Sequence, residues 1–158
     1  MEPKFRARTP WSPDRPETLV VCCSDGRWYA QIMEFVWHEV SERADLYAVP
    51  GGPGVLDPWN SSFDEARVFD ASMRLLAEHH ALSGVWLIAH EACAWYRAKH
   101  PHLDAKALRD RQIEDLRRGR DLLLERYPRY EVRLIYTSHR EDGVVFEDTE
   151  AAKQSTRP

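Results

Sequence analysis

Apolar positions along the chain change period several times, and each change marks an element. Leu19-Val20-Val21-Cys22 and Val85-Trp86-Leu87-Ile88 are unbroken apolar runs rich in β-branched residues, the pattern of strands covered on both faces. Thr18–Cys23 and Val85–Ala89 are therefore predicted as buried strands. From Trp28 onward, Trp28, Ile32, Phe35, Val36 and Val40 recur at helical spacing and make one wide apolar face. Asp45–Val49 is a second short strand, stopped by Pro50-Gly51-Gly52-Pro53-Gly54, which reads as a plain turn.

Ser62 with Glu65 three positions on is a capping box. It opens a long helix with Ala66, Phe69, Met73 and Leu76 inward, ended by Ser83-Gly84. Glu91–Lys99 is predicted as a short helix. Asp104–Arg126 is a long helix, charged outside, with Ile113, Leu116, Leu123 and Leu124 inside; Pro128 ends it. Glu131–Thr137 alternates apolar and polar, so it is expected half-exposed and nearer the sheet edge. A turn at Asp142-Gly143 leads into a last short strand, Gly143–Phe146.

Strands alternating with helices predict an α/β fold: a mainly parallel open sheet of four to five strands with helices on both faces. Residues 18–148 make a single domain. Residues 1–17 carry Pro3, Pro10, Pro13 and Pro16, which favour an extended arm, loose or laid along a partner subunit. Residues 149–158 are polar and read as a loose tail.

Composition narrows the class. The 158 residues are 43% hydrophobic and 30% charged with net charge −4, as in an ordinary globular protein. Mild acidity argues against nucleic acid or an anionic membrane as partner. No run approaches the roughly 18 apolar residues of a membrane span. Met1–Arg15 is charged and proline-rich without an apolar core, unlike a secretory signal. A cytoplasmic location is expected, where three cysteines suit metal binding or catalysis better than disulfides.

Two stretches carry the chemistry: Cys23-Ser24-Asp25-Gly26-Arg27 and His90-Glu91-Ala92-Cys93. Both stand where a predicted strand gives way to a helix, the edge at which open α/β sheets collect ligands. Cys23, His90 and Cys93 offer two thiols and one imidazole, three of the four ligands of a tetrahedral Zn²⁺, with the fourth position left for water. Cys22 faces the opposite side of the strand and packs as a small apolar residue. Asp25 and Arg27 alternate past Cys23 and can pair, which keeps the carboxylate ionised and oriented beside a metal-bound water. A phosphatase-type thiolate cradle needs five residues between cysteine and arginine, and neither Cys22 nor Cys23 has that spacing to Arg27. Gly51, Gly52 and Gly54 lack the Gly-Lys-Ser/Thr of a phosphate loop. His38, His79, His80, His100, His102 and His139 read as surface or helix-flank residues. The six tryptophans read as core or interface residues, with Trp28 and Trp95 as candidate pocket walls.

Cys-x-Asp-x-Arg after a first strand and His-x-x-Cys after a later one resemble the β-class carbonic anhydrases. Asp142-Gly143-Val144-Val145 resembles that family's closing strand. The resemblance spans roughly residues 18–147. It implies one Zn²⁺ per chain on Cys23, His90 and Cys93, with Asp25 and Arg27 as the catalytic dyad. Asp25 then either pairs with Arg27 or closes the site as fourth ligand. The implied activity is reversible hydration of carbon dioxide to bicarbonate by a zinc-bound hydroxide, in a homodimer or larger homo-oligomer. Val49-Pro50-Gly51-Gly52-Pro53 stands where the family usually has Arg-Asn-Ala-Gly-Asn. That departure motivates one alternative, hydrolysis of carbonyl sulfide or carbon disulfide; a second, zinc binding without turnover, follows if Asp25 is locked onto zinc and no position is left for water.

Overall fold

In a computed structural model, which describes residues 4–150, five strands form one sheet in the order β2-β1-β3-β4-β5. The strands are β1 (Thr18–Cys23), β2 (Asp45–Val49), β3 (Gly84–His90), β4 (Glu131–Arg140) and β5 (Gly143–Asp148). The first four are parallel, and β5 returns antiparallel to β4. The helices are α1 (Tyr29–Phe35), continued by a π turn at Val36–Val40, then α2 (Phe63–His79), α3 (Ala94–Lys99) and α4 (Ala105–Arg126). This is the α/β architecture that the alternating pattern predicts.

Alternation along the strands sorts the core into two layers. Leu19, Val21, Val85, Leu87, Leu134 and Tyr136 point to one face, against Phe69 and Met73 of α2 and Leu116 and Leu123 of α4. Val20, Cys22, Ile88 and Ile135 point to the other, against Trp28, Ile32 and Val36. Each such side chain, wholly removed from water, contributes about 1.5–3 kcal/mol. The capping box at α2 is formed: Ser62 Oγ accepts from Glu65 N–H, and Glu65 accepts from Ser62 N–H at 2.7 Å.

Several expectations are corrected. β4 stands one strand in from the edge, as expected, but it is less exposed than alternation predicts: it runs three residues past Thr137 to Arg140 and buries Leu134 through Ser138. The hairpin partner β5 pairs along the outer edge of β4 from Ile135 to Arg140, and itself extends to Asp148. The short helix begins at Ala94 rather than Glu91, because Ala92 adopts a left-handed φ of 53° and Cys93 is an extended cap residue. Pro50–Gly54 is not a plain exposed turn, since Gly52–Val55 winds into a buried 3₁₀ turn beneath α4. Trp11 and Trp59, at 85% and 91% exposed, lie outside the core.

Before β1, residues 4–17 form neither helix nor strand, and Ser12 and Asp14 bind Arg43 beyond the π turn. Thr149 bonds to Leu134 O, and Glu150 pairs with Arg117 and Arg120, so the start of the expected loose tail is fastened. The rest of that tail lies outside the described residues. No helix among the described residues is long and apolar enough to cross a membrane.

Candidate metal centre

Strands β1 and β3 are neighbours in register, so Cys23 and His90 emerge side by side at the carboxyl edge of the sheet. They leave it on opposite faces. Cys23 packs with Cys93, Tyr96 and Leu108, whereas the His90 ring lies 5.1 Å from Trp28, on the α1 side. Past the end of the sheet the two converge, and the Glu91–Ala92 turn swings Cys93 back to join them. Ligand atoms of Cys23, His90 and Cys93 all lie within 4.8 Å of one another, and all three residues are buried.

The donor chemistry suits a tetrahedral Zn²⁺. The two Sγ atoms are 3.9 Å apart. Two thiolates about 2.3 Å from a shared tetrahedral zinc would stand about 3.8 Å apart. His90 Nδ1 lies 2.7 Å from Glu91 O, and a carbonyl only accepts, so the ring proton resides on Nδ1. That leaves the Nε2 lone pair buried without a hydrogen-bond partner. Buried polar atoms are almost always partnered, and an imidazole oriented through its other nitrogen is the usual state of a metal ligand. The thiols share a proton: the hydrogen bond from Cys93, with the backbone N–H groups of Gly51 and Asp25, brings Cys23 down to about 4. Cys93 is pushed up, by the same hydrogen bond and by burial. Cys22, 3% exposed on the opposite face, is raised by burial to about 12 and packs as an apolar residue.

Asp25 and Arg27 are paired. Arg27 Nε lies 3.0 and 3.1 Å from the two carboxylate oxygens, Arg27 Nη2 is 2.5 Å from Oδ2, and Arg27 N–H donates to Oδ1 at 3.1 Å. The guanidinium holds Asp25 down to about 2. Arg27 Nη2 also reaches Ala92 O at 3.3 Å, tying one motif to the other. Asp25, held by Arg27, is not among the residues whose ligand atoms gather at the centre.

Walls follow from the neighbours. Trp28, 7% exposed, covers His90, and Trp95 packs against Cys23 and Cys93. Gly51 and Gly52 have φ of 83° and 52°, and both are crowded. A Cβ at Gly51 would meet Trp95 at 2.5 Å, and one at Gly52 would meet the Cys23 backbone nitrogen at 2.7 Å. Glycine lets this loop lie directly on the Cys22–Cys23 peptide.

Behind the centre lie polar residues that sequence reasoning missed. Gln112 Nε2 donates to His90 O at 2.9 Å. Asp115 Oδ2 accepts from Asn60 at 2.7 Å, Tyr96 OH at 3.0 Å and Arg111 Nε at 3.2 Å. Gln112 and Asp115 are each 1% exposed on α4. Their positions, four and one residues before Leu116, put them on its inward stripe, which was the available signal.

No family model and no curated protein sequence matches the chain. Solved structures do. The β-carbonic anhydrase CafA of the fungal pathogen Aspergillus fumigatus superposes with a TM-score of 0.57 at 13% identity, over 89% of this chain and 81% of its own. A carbonic anhydrase from Streptococcus mutans gives 0.55 at 14% identity, over 87% and 86%. A tetrameric β-carbonic anhydrase from the filamentous ascomycete Sordaria macrospora gives 0.54 at 14% identity, over 79% and 77%. The chain therefore has a β-carbonic-anhydrase-like fold. At such identities the likeness carries the fold alone, and the chemistry rests on the residues.

Proposed function

We propose that this chain holds one Zn²⁺ on Cys23, His90 and Cys93 and reversibly hydrates carbon dioxide to bicarbonate. The observation that carries the reading is the buried, unpartnered His90 Nε2 beside two thiols, next to an ionised aspartate. Bound there, Zn²⁺ would act as a Lewis acid and bring the pKa of water down to about 7.

The chain's own residues do the rest. Glu91 O holds the His90 ring through Nδ1–H and keeps Nε2 free to ligate. Asp25, ionised and clamped by Arg27, accepts a hydrogen bond from the attacking water and sets its orientation. Because Arg27 occupies that carboxylate, Asp25 would stay off the metal and leave its open position to water. Trp28 and Trp95 supply apolar walls that suit a small uncharged molecule and exclude bulk water. In keeping with the tetrameric Sordaria enzyme, we propose a homo-oligomer, and the three free cysteines suit a reducing, cytoplasmic setting. The Gly51–Gly52 loop against Trp95 supports a second reading, with carbonyl sulfide or carbon disulfide as substrate.

Metal content and stopped-flow hydration on one preparation, between about pH 6.5 and 9, test the proposal. The expected result is about one zinc per chain with activity rising through an apparent pKa. Arg27→Gln should keep the zinc and lose about 10–100-fold in rate. Zinc without hydration directs the assay to the sulfur analogues; no zinc ends the reading.

A further inference from the structure

Across the Glu91–Ala92 turn from the thiols lies a separate cavity of about 440 Å³. It is bounded by that turn, the first two turns of α4 and the end of β4. Four cationic side chains line it, Arg97, Lys106, Arg109 and Arg140; the carboxylates that face them are Glu91 in the lining, Asp110 at 2.7 Å from Lys106, and Glu147 shared by Arg109 and Arg140. Glu91 is already engaged, since its Oε1 accepts the His139 backbone N–H at 2.6 Å. The chain as a whole is acidic at net −4, so this is a local concentration of positive charge in a concave site, where fields focus.

Two further observations separate it from an ordinary solvated basic face. Ser138 lines the cavity at 8% exposed, and its Oγ has no hydrogen-bond partner among the described residues. A buried hydroxyl without a partner is costly unless a ligand completes it. The guanidinia are also held in place: Arg109 stacks on the buried Tyr136 ring at 4.9 Å, and Arg109 and Arg140 each lean on Glu147 at 3.3 Å. Arg97 makes no ion pair among the described residues and stays available.

We propose that this cavity binds a small, doubly charged oxyanion carried on an organic body, a phosphate monoester or a dicarboxylate. The arginines receive the charge in bidentate fashion, Ser138 donates to one oxygen, and Leu108 and Tyr136 cover the carbon skeleton. The volume is within the range of small-molecule sites and far exceeds what a lone bicarbonate fills.

The test is a ¹H–¹⁵N NMR titration of the full chain as purified, with glycerol phosphate and with succinate, against chloride at matched ionic strength. Saturable shifts are expected at the Lys106, Ser138, His139 and Arg140 amides. Tighter glycerol phosphate identifies a phosphomonoester; tighter succinate identifies a dicarboxylate. Lys106→Gln and Arg140→Gln should each weaken binding about tenfold, and Ser138→Ala about three- to tenfold. Should Ser138→Ala fail to fold, the two exposed cation variants still decide. Arg43→Gln, far from the cavity, should leave binding unchanged. Shifts that match chloride, shifts confined to Ser24–Trp28 beside the thiols, or an equal loss in Arg43→Gln would each overturn the site.

Discussion

Two buried polar clusters share helix α3, and they are built on opposite plans. On one side Asp115 gathers Asn60, Tyr96 and Arg111 on Oδ2, and Asn60 Oδ1 in turn lies 3.2 Å from His100 Nε2. On the other, Cys23, His90 and Cys93 meet with one nitrogen left without any partner. Cys93 caps the helix and Tyr96 sits one turn later, so a six-residue element serves both. The first cluster carries its own counter-charge, since Arg111 Nε lies 3.0 Å from Asp115 Oδ1, the one oxygen there without a hydrogen bond, and it holds the fold together. The second lacks one positive centre to which three lone pairs point. Burial and an unpaired atom, which both clusters have, therefore do not distinguish structural from functional polar groups; the presence or absence of a counter-charge does.

Removing the unpaired nitrogen tests this contrast most severely. His90→Ala should lower zinc from about one per chain to near none and abolish hydration, while far-ultraviolet circular dichroism stays native. A His90→Ala protein that kept its metal would erase the distinction. Asp115→Ala should do the converse. It should cost about 3 kcal/mol in denaturant unfolding, because Tyr96 and Asn60 lose their buried acceptor, yet leave the folded fraction with its zinc. Zinc loss without loss of stability would place Asp115 on the functional side.

Glycine variants sharpen the comparison next. Gly52→Ala forces a Cβ onto the Cys22–Cys23 peptide at a left-handed φ and should cost about 1–3 kcal/mol, with weaker zinc retention against a chelator. Gly26→Ala, two residues past the loop's Ser24 in open space, should stay within about 0.5 kcal/mol. Equal effects would remove the argument that the loop rests on the centre.

The smallest expected effect is a pH dependence of the self-contained cluster. Burial, with nearby Arg111, His102 and Lys99, holds the His100 pKa below its ordinary value. The unfolded chain then takes up the proton first as pH falls below about 6.5, so His100 lowers stability on the acid side of that point. His100→Gln should flatten that part of the stability curve, measured by unfolding at about pH 7.5 and 5.5. An unchanged slope would mean that His100 titrates as it does in the unfolded chain.

Much of this was legible in the residue pattern. Runs such as Leu19–Cys22 and Val85–Ile88 leave no polar face, so they can only be covered strands. Motifs placed directly after them must arrive at the same sheet edge, which determined the pairing of Cys23 with His90 and Cys93. Ser62 and Glu65 determined where α2 begins, because that contact is local. The tertiary structure alone decided what depends on partners distant in sequence. How far β4 runs is decided by β5, which pairs along its outer edge from Ile135 to Arg140. Asp115 and Gln112 read as part of a charged outer face until α4 is set on the sheet with that stripe inward. Cys23 and His90 leave opposite faces, and only the left-handed turn at Ala92 brings Cys93 between them. Local periodicity reports which way a side chain points along its own element, and it carries no information on what another segment places there.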